Sequence, residues 1–123
     1  MFNDKPNPIR DKSYAFSLKL VPFCRILMED KREYVLSRQL IKSGTSIGAN
    51  VEEGVNAPTK KDFAHKLSIS LKEAFETRYW LCLLRDTHYA EEGIANQLID
   101  DAQELIALLT AILKSSRANL TEE

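Results

Sequence analysis

Apolar positions recur along this chain at alternating steps of three and four residues, the repeat of one face of an α-helix. Phe16, Leu20, Phe23 and Leu27 make the first such run, which begins at about Pro8. A proline suits a first helical turn, where its missing N–H would have no partner anyway. Pro22 lies inside the run and removes a bond to the Leu18 carbonyl. The spacing therefore predicts one helix kinked near Leu18–Pro22 rather than two helices. Glu29 to Lys31 are all charged and predict a polar turn. A second helix starts near Arg32 or Glu33, with Leu36, Leu40, Gly44, Ile47, Val51 and Val55 as its buried stripe.

Gly44 and Gly48 fall inside that second helix, where each costs about 1 kcal/mol against alanine. Four residues apart, they share a face with Ser43, Thr45 and Ala49 nearby, so a neighbouring helix can approach closely. The alternative is a true break at Ser43-Gly44-Thr45-Ser46. Asn56-Ala57-Pro58 ends the helix. Thr59 then stands as an N-cap for a third helix, with Asp62 where a capping box holds Glu. That helix extends to about His88 and carries two stripes. Phe63, Leu67, Leu71, Ala74 and Leu81 form one. Ile69, Glu73, Glu76, Trp80 and Leu83 form the other.

A fourth helix begins near Glu91 and Glu92, acids suited to a helix N-terminus. Leu98, Ala102, Leu105, Leu109 and Ile112 form its seam, a pattern for shallow-angle packing. The ends, 1–7 and 118–123, are polar and predict flexible arms. Short connections make sequential helices antiparallel neighbours. The prediction is all-α: a single domain, residues 1–123, folded as an antiparallel up-and-down four-helix bundle.

Composition changes this picture little. With four glycines and four prolines in 123 residues, a many-turned β architecture is disfavoured. Seventeen basic and eighteen acidic residues leave a net charge of −1, which guarantees no long-range field for nucleic acid and leaves local basic patches open. Cys24 and Cys82 sit in apolar stretches without metal-ligand spacing and predict buried thiols. No signal peptide pattern opens the chain, and no apolar run nears the ~18 residues that cross a bilayer. A cytoplasmic protein with no membrane partner is expected.

Catalytic chemistry finds few candidates. A carboxylate-bridged metal centre in a bundle needs two Glu-x-x-His patterns, and Asp62-Phe63-Ala64-His65 is the single near match. No phosphate loop or activated nucleophile is present. Neither metal nor cofactor is expected. Glu73 and Glu76 are the one acid pair that could exchange protons. Ion pairing with Arg38, Lys42 or Arg78 explains them more simply. Lys60, Lys61 and Lys66 cluster at the start of the third helix, and Lys114 and Arg117 near the end of the fourth. They are the candidate nucleic-acid contacts. Tyr79 and Trp80 are interface candidates, because Trp and Tyr dominate binding hot spots. A bundle this small cannot hide two stripes per helix, so self-association is expected.

The stretch from Ser37 to Gly54 (SRQLIKSGTSIGANVEEG), the later segments Asp62-Phe63, Lys66 to Ala74 and Glu76 to Leu81, and the Lys12-to-Phe16 start together resemble one family. It is the four-helix-bundle family encoded in intervening sequences of 23S ribosomal RNA genes, often labelled ribosomal proteins. The resemblance implies an up-and-down bundle assembled as a homo-oligomer of five. It also implies a relation to the accessory variability determinant of diversity-generating retroelements, a basic protein that binds RNA. This chain departs from that relative in being slightly acidic. The motif positions are Arg38, Gly44, Ser46, Gly48, Asn50, Glu53, Glu73 and Glu76, with no catalytic role implied. Asn50 and Glu53 are expected to hydrogen-bond across the second and third helices. The sequence thus points to a non-enzymatic oligomeric scaffold or adaptor, or alternatively to an RNA- or DNA-binding accessory protein.

Overall fold

A computed structural model describes the backbone of residues 6–122 and the side chains of residues 6–116. It contains four helices, α1 (Pro8–Glu29), α2 (Val35–Val55), α3 (Lys60–Asp86) and α4 (Glu92–Glu122), with no strand among the described residues. Side chains explain where each begins. Asn7 accepts a hydrogen bond from the Arg10 N–H at 3.2 Å, with Pro8 at the first helical position. Asn7 is therefore the cap of α1 rather than part of a loose arm; residues 1–5 lie outside the described region. Thr59 accepts from the Asp62 N–H at 3.0 Å, the expected capping bond, and its hydroxyl donates to the Asp62 carboxylate at 2.8 Å. The Glu91 carboxylate accepts from the Gly93 and Ile94 N–H groups at 2.9 and 2.8 Å. Those bonds, Ile94 first, hold its pKa below the ordinary carboxylate value.

The second helix begins later than the sequence suggests. Arg32 takes a left-handed backbone conformation (φ 53°), and α2 starts at Val35. Tyr34 occupies the cap position without a side-chain bond, and Glu33 does the capping instead. Its buried carboxylate accepts from the Leu36 N–H at 2.8 Å and from both the N–H and hydroxyl of Ser37 at 2.7 Å. Negative charge here also meets the positive end of the α2 dipole.

α1 runs unbroken through Pro22, whose ring is exposed, and α2 runs unbroken through Gly44 and Gly48. The glycines admit α1. A Cβ on Gly44 would lie 2.0 Å from Leu20 Cδ2, and one on Gly48 would lie 3.4 Å from the Ser13 carbonyl oxygen. Gly54 plays the same part against α3, where an added Cβ would lie 2.6 Å from Leu67 Cδ1.

Each helix packs against two others: α1 on α2 and α4, and α3 on α2 and α4. The diagonal pairs α1–α3 and α2–α4 do not pack, so the helices form a square in which α1 and α3 occupy opposite corners. Leu20, Leu40, Ile47, Val51, Leu67, Leu81, Leu84 and Leu109 are fully enclosed at its centre. Cys24 is buried there too, which pushes its thiol pKa up to about 12; Cys82 is only half-buried. Along α4 the seam is as expected through Leu109, and then Leu113 rather than Ile112 points fully inward. The α1–α4 seam is the least filled. Lys12 pairs with Glu104 and Lys19 with Asp101 (3.1 Å), over a cleft of about 200 Å³ floored by Phe16 and Leu105.

Candidate functional site

The motif residues lie on α2 and α3, with Gly44 and Gly48 facing α1 and Glu53 reaching Lys66 of α3. Two small hydroxyl side chains join α2 and α3 along a seam inside the core. The buried Ser70 hydroxyl donates to the Ile47 carbonyl at 2.8 Å, and the Thr77 and Ser43 hydroxyls are hydrogen-bonded at 3.0 Å. Thr77 also reaches the Glu73 carbonyl at 2.7 Å. These contacts do the cross-helix work that was expected of Asn50. The Asn50 amide instead donates to the Ser46 carbonyl at 2.8 Å, one turn back on its own helix, and Ser46 donates to the Lys42 carbonyl at 2.6 Å. A short polar side chain on a helix finds the carbonyl four residues earlier before it can span a seam. Glu53 does cross, to Lys66 at 3.5 Å on the protein's exterior.

Ser70 and Thr77 escaped the sequence reading because it followed large apolar residues and chose Leu71 for the α3 stripe. The buried positions of α3 are Leu67, Ser70, Ala74, Thr77, Leu81 and Leu84, an unbroken alternation of three and four. Leu71 is half-buried on the flank. Counting small hydroxyl residues as core-compatible would have revealed the correct face.

Glu73 and Glu76 stand on the outer flank of this seam, the first half-buried and the second exposed. Burial raises the Glu73 pKa, as do the charge of Glu76 and a hydrogen bond shared with it; Lys72 and Lys42 pull the other way. The suggested arginine partners are otherwise engaged. Arg38 lies over the Tyr34 ring at 5.8 Å and Arg78 over the Phe75 ring at 5.2 Å. Of the three suggested cations, Lys42 acts electrostatically on Glu73. Among the described residues, no group of three or more His, Cys, Asp or Glu side chains is placed to hold a metal ion.

The basic candidates share one end of the bundle. Arg85 of α3 bonds Asn96 of α4 at 2.9 Å. Counting 1.5 Å per residue from that level, Lys66 and Lys114 lie about 27–29 Å down the axis. Lys60 and Lys61 are in the first turn of α3 at the same end. Acids stand among them: Asp62 is beside Lys61, and Glu53 takes Lys66. The side chain of Arg117 lies outside the described residues.

The surface is most unusual in its outward apolar residues. Leu18 is 60% exposed, Ile26 53%, Val35 71%, Phe75 45% and Tyr79 58%. Tyr79 meets Trp80 edge-on, with ring centroids 5.0 Å apart. No helix among the described residues is long and apolar enough to cross a membrane.

No curated protein matches the chain. A solved structure does: a protein of unknown function from the S23 ribosomal protein family of Bacteroides thetaiotaomicron. It is 42% identical and superposes with a TM-score of 0.84, over 86% of this chain and 98% of that one. The model of the 23S rRNA-intervening sequence proteins matches residues 5–111, from the arm before α1 to the last turns of the α4 seam. This chain belongs to the 23S rRNA-intervening sequence protein family.

Proposed function

We propose that this protein is a non-enzymatic, self-assembling scaffold or adaptor of the cytoplasm. The supporting observation is the set of large apolar side chains directed away from the core on α1 and α3. A helix that is apolar on its outer as well as its inner face needs a further covering surface. Among the described residues, Glu73 and Glu76 belong to no group of three or more His, Cys, Asp or Glu side chains placed to hold a metal ion.

Nucleic-acid binding has weaker support. The basic end interleaves Lys61 and Lys66 with Asp62 and Glu53, and such mixed charge neutralises few phosphates.

Light scattering on the full chain at micromolar concentration tests the proposal. The expected mass is a multiple of the 14.0 kDa chain, with five copies the number the family resemblance implies. A single 14.0 kDa species throughout that range would overturn it.

A further inference from the structure

Among the described residues, two charged side chains are buried, Arg10 (5% exposed) and Glu33 (8%). Burying a charge is costly unless hydrogen-bonded partners surround it. The N–H groups that Glu33 caps on α2 account for its burial. Arg10 instead lines a cleft of about 180 Å³ between α1 and α2.

The walls of this cleft follow from the antiparallel crossing of the two helices. Ser13 lies against Gly48. Arg10 is one turn before Ser13, and Glu52 is one turn after Gly48. These two residues of opposite charge therefore stand at one level on opposite walls. Ser17 continues the α1 wall a turn the other way. The Ser13 hydroxyl donates to the Arg10 carbonyl at 3.1 Å, and the Ser17 hydroxyl to the Ser13 carbonyl at 3.3 Å. With their protons committed, both hydroxyl oxygens act as acceptors. The cleft thus offers guanidinium donors from Arg10, and acceptors from Ser13, Ser17 and the Glu52 carboxylate.

Gly48 forms part of the lining, and packing does not demand a glycine there. An added Cβ would meet Ser13 at 3.4–3.5 Å, an ordinary contact distance, against 2.0 Å at Gly44 and 2.6 Å at Gly54. Glycine is unfavourable inside a helix. What its missing methyl leaves open is room in the cleft, the use glycine has where a ligand comes close to backbone.

The volume is below the roughly 300 Å³ at which pockets for drug-sized ligands begin, so a nucleotide is too large. A small ion of one sign would be attracted by one wall and repelled by the other. A small zwitterion meets both. We propose that the cleft binds a small α-amino acid. Its carboxylate lies on the Arg10 guanidinium, whose planar fork suits it. Its ammonium lies on Glu52 and the hydroxyl oxygens of Ser13 and Ser17. The bound molecule bridges α1 and α2.

Isothermal titration of the full chain with glycine, alanine and serine tests this, with acetate and methylammonium as probes that carry one charge each. Saturable binding of at least one amino acid below about 10 mM is expected, and at least about tenfold tighter than either single-charge probe. Gly48→Ala is expected to keep the wild-type helical signal and thermal midpoint, or raise the midpoint, and to bind about tenfold more weakly. Glu52→Gln is expected to lose the preference for amino acid over acetate. No saturable heat from any of the three amino acids overturns the proposal. Acetate binding as tight as theirs also overturns it, by making the cleft an anion site. Unaltered affinity in Gly48→Ala would place the ligand elsewhere and has the same consequence. A preference that survives Glu52→Gln does too, because Glu52 is the one acid that lines the cleft.

Discussion

Alanine at Gly44 is expected to destabilise the bundle by about 1–3 kcal/mol, the usual cost of overpacking a filled core. Alanine at Gly48, one turn along the same helix, is expected to be neutral or to stabilise by up to about 1 kcal/mol. The sequence treats the two alike: interior glycines four apart, each unfavourable for helix. The structure separates them. At Gly44 the new methyl would sit 2.0 Å from Leu20 Cδ2, and Leu20 is fully enclosed with nowhere to turn. At Gly48 the same methyl meets the Ser13 backbone and hydroxyl at 3.4–3.5 Å, an ordinary contact distance. There the gain in helix propensity is not cancelled. Urea unfolding of both variants reads the difference directly. Midpoints that move the same way would show that Gly48 is as tightly held as Gly44. A larger residue changes the balance at Gly48, since leucine there would push on the α1 backbone itself, which cannot move aside as a side-chain tip can.

Glu33→Ala is expected to cost about 2 kcal/mol at pH 7, the upper range for loss of a helix cap, because its bonds are charge-assisted. The same substitution should cost progressively less in acid. Burial pushes the Glu33 pKa up, but the bonds from Leu36, the Ser37 hydroxyl and the Ser37 and Val35 N–H groups more than offset it. The net shift is downward. A carboxyl with a lowered folded-state pKa stabilises the protein fully above its unfolded value of about 4.3 and loses that contribution as pH falls through the folded value. The gap between wild type and Glu33→Ala should therefore be flat from about pH 6 to 8 and narrow below about pH 4. A gap that stays constant down to acid pH would mean that the ionised carboxylate is not what caps α2.

The way each feature was, or was not, legible follows from its range. The helices, the Thr59 cap and the close approach at Gly44 are local or nearly so, and periodicity with cap chemistry exposes them. The start of α2 was placed two or three residues early because Glu33 looks like any first-turn acid. Its role as a side-chain cap from outside the helix depends on the left-handed turn at Arg32, which no residue type announces. The α2–α3 seam was half legible. Its large residues stood out, while Ser70 and Thr77 resemble surface positions until a partner carbonyl and hydroxyl on α2 are seen opposite them. Apolar excess is visible in the sequence for α3 but not for α1, where Leu18 and Ile26 prove exposed only once the buried face is known.

The sparse α1–α4 seam bears on how the chain reaches this structure. Three of the four seams join helices that follow one another in sequence, and such contacts close short loops at small entropic cost. The fourth brings Lys12 to Glu104 and Lys19 to Asp101 across almost the whole chain, with surface ion pairs over an incompletely filled cleft. Surface ion pairs contribute little. Folding is expected to start in the α2–α3 hairpin, with its glycine contact and internal hydroxyl bonds, and to end when α1 and α4 meet. In the native state the order reverses, and α1 should be the first helix to open. Amide hydrogen exchange slower in α1 than in α2 and α3 would contradict that sequence of events.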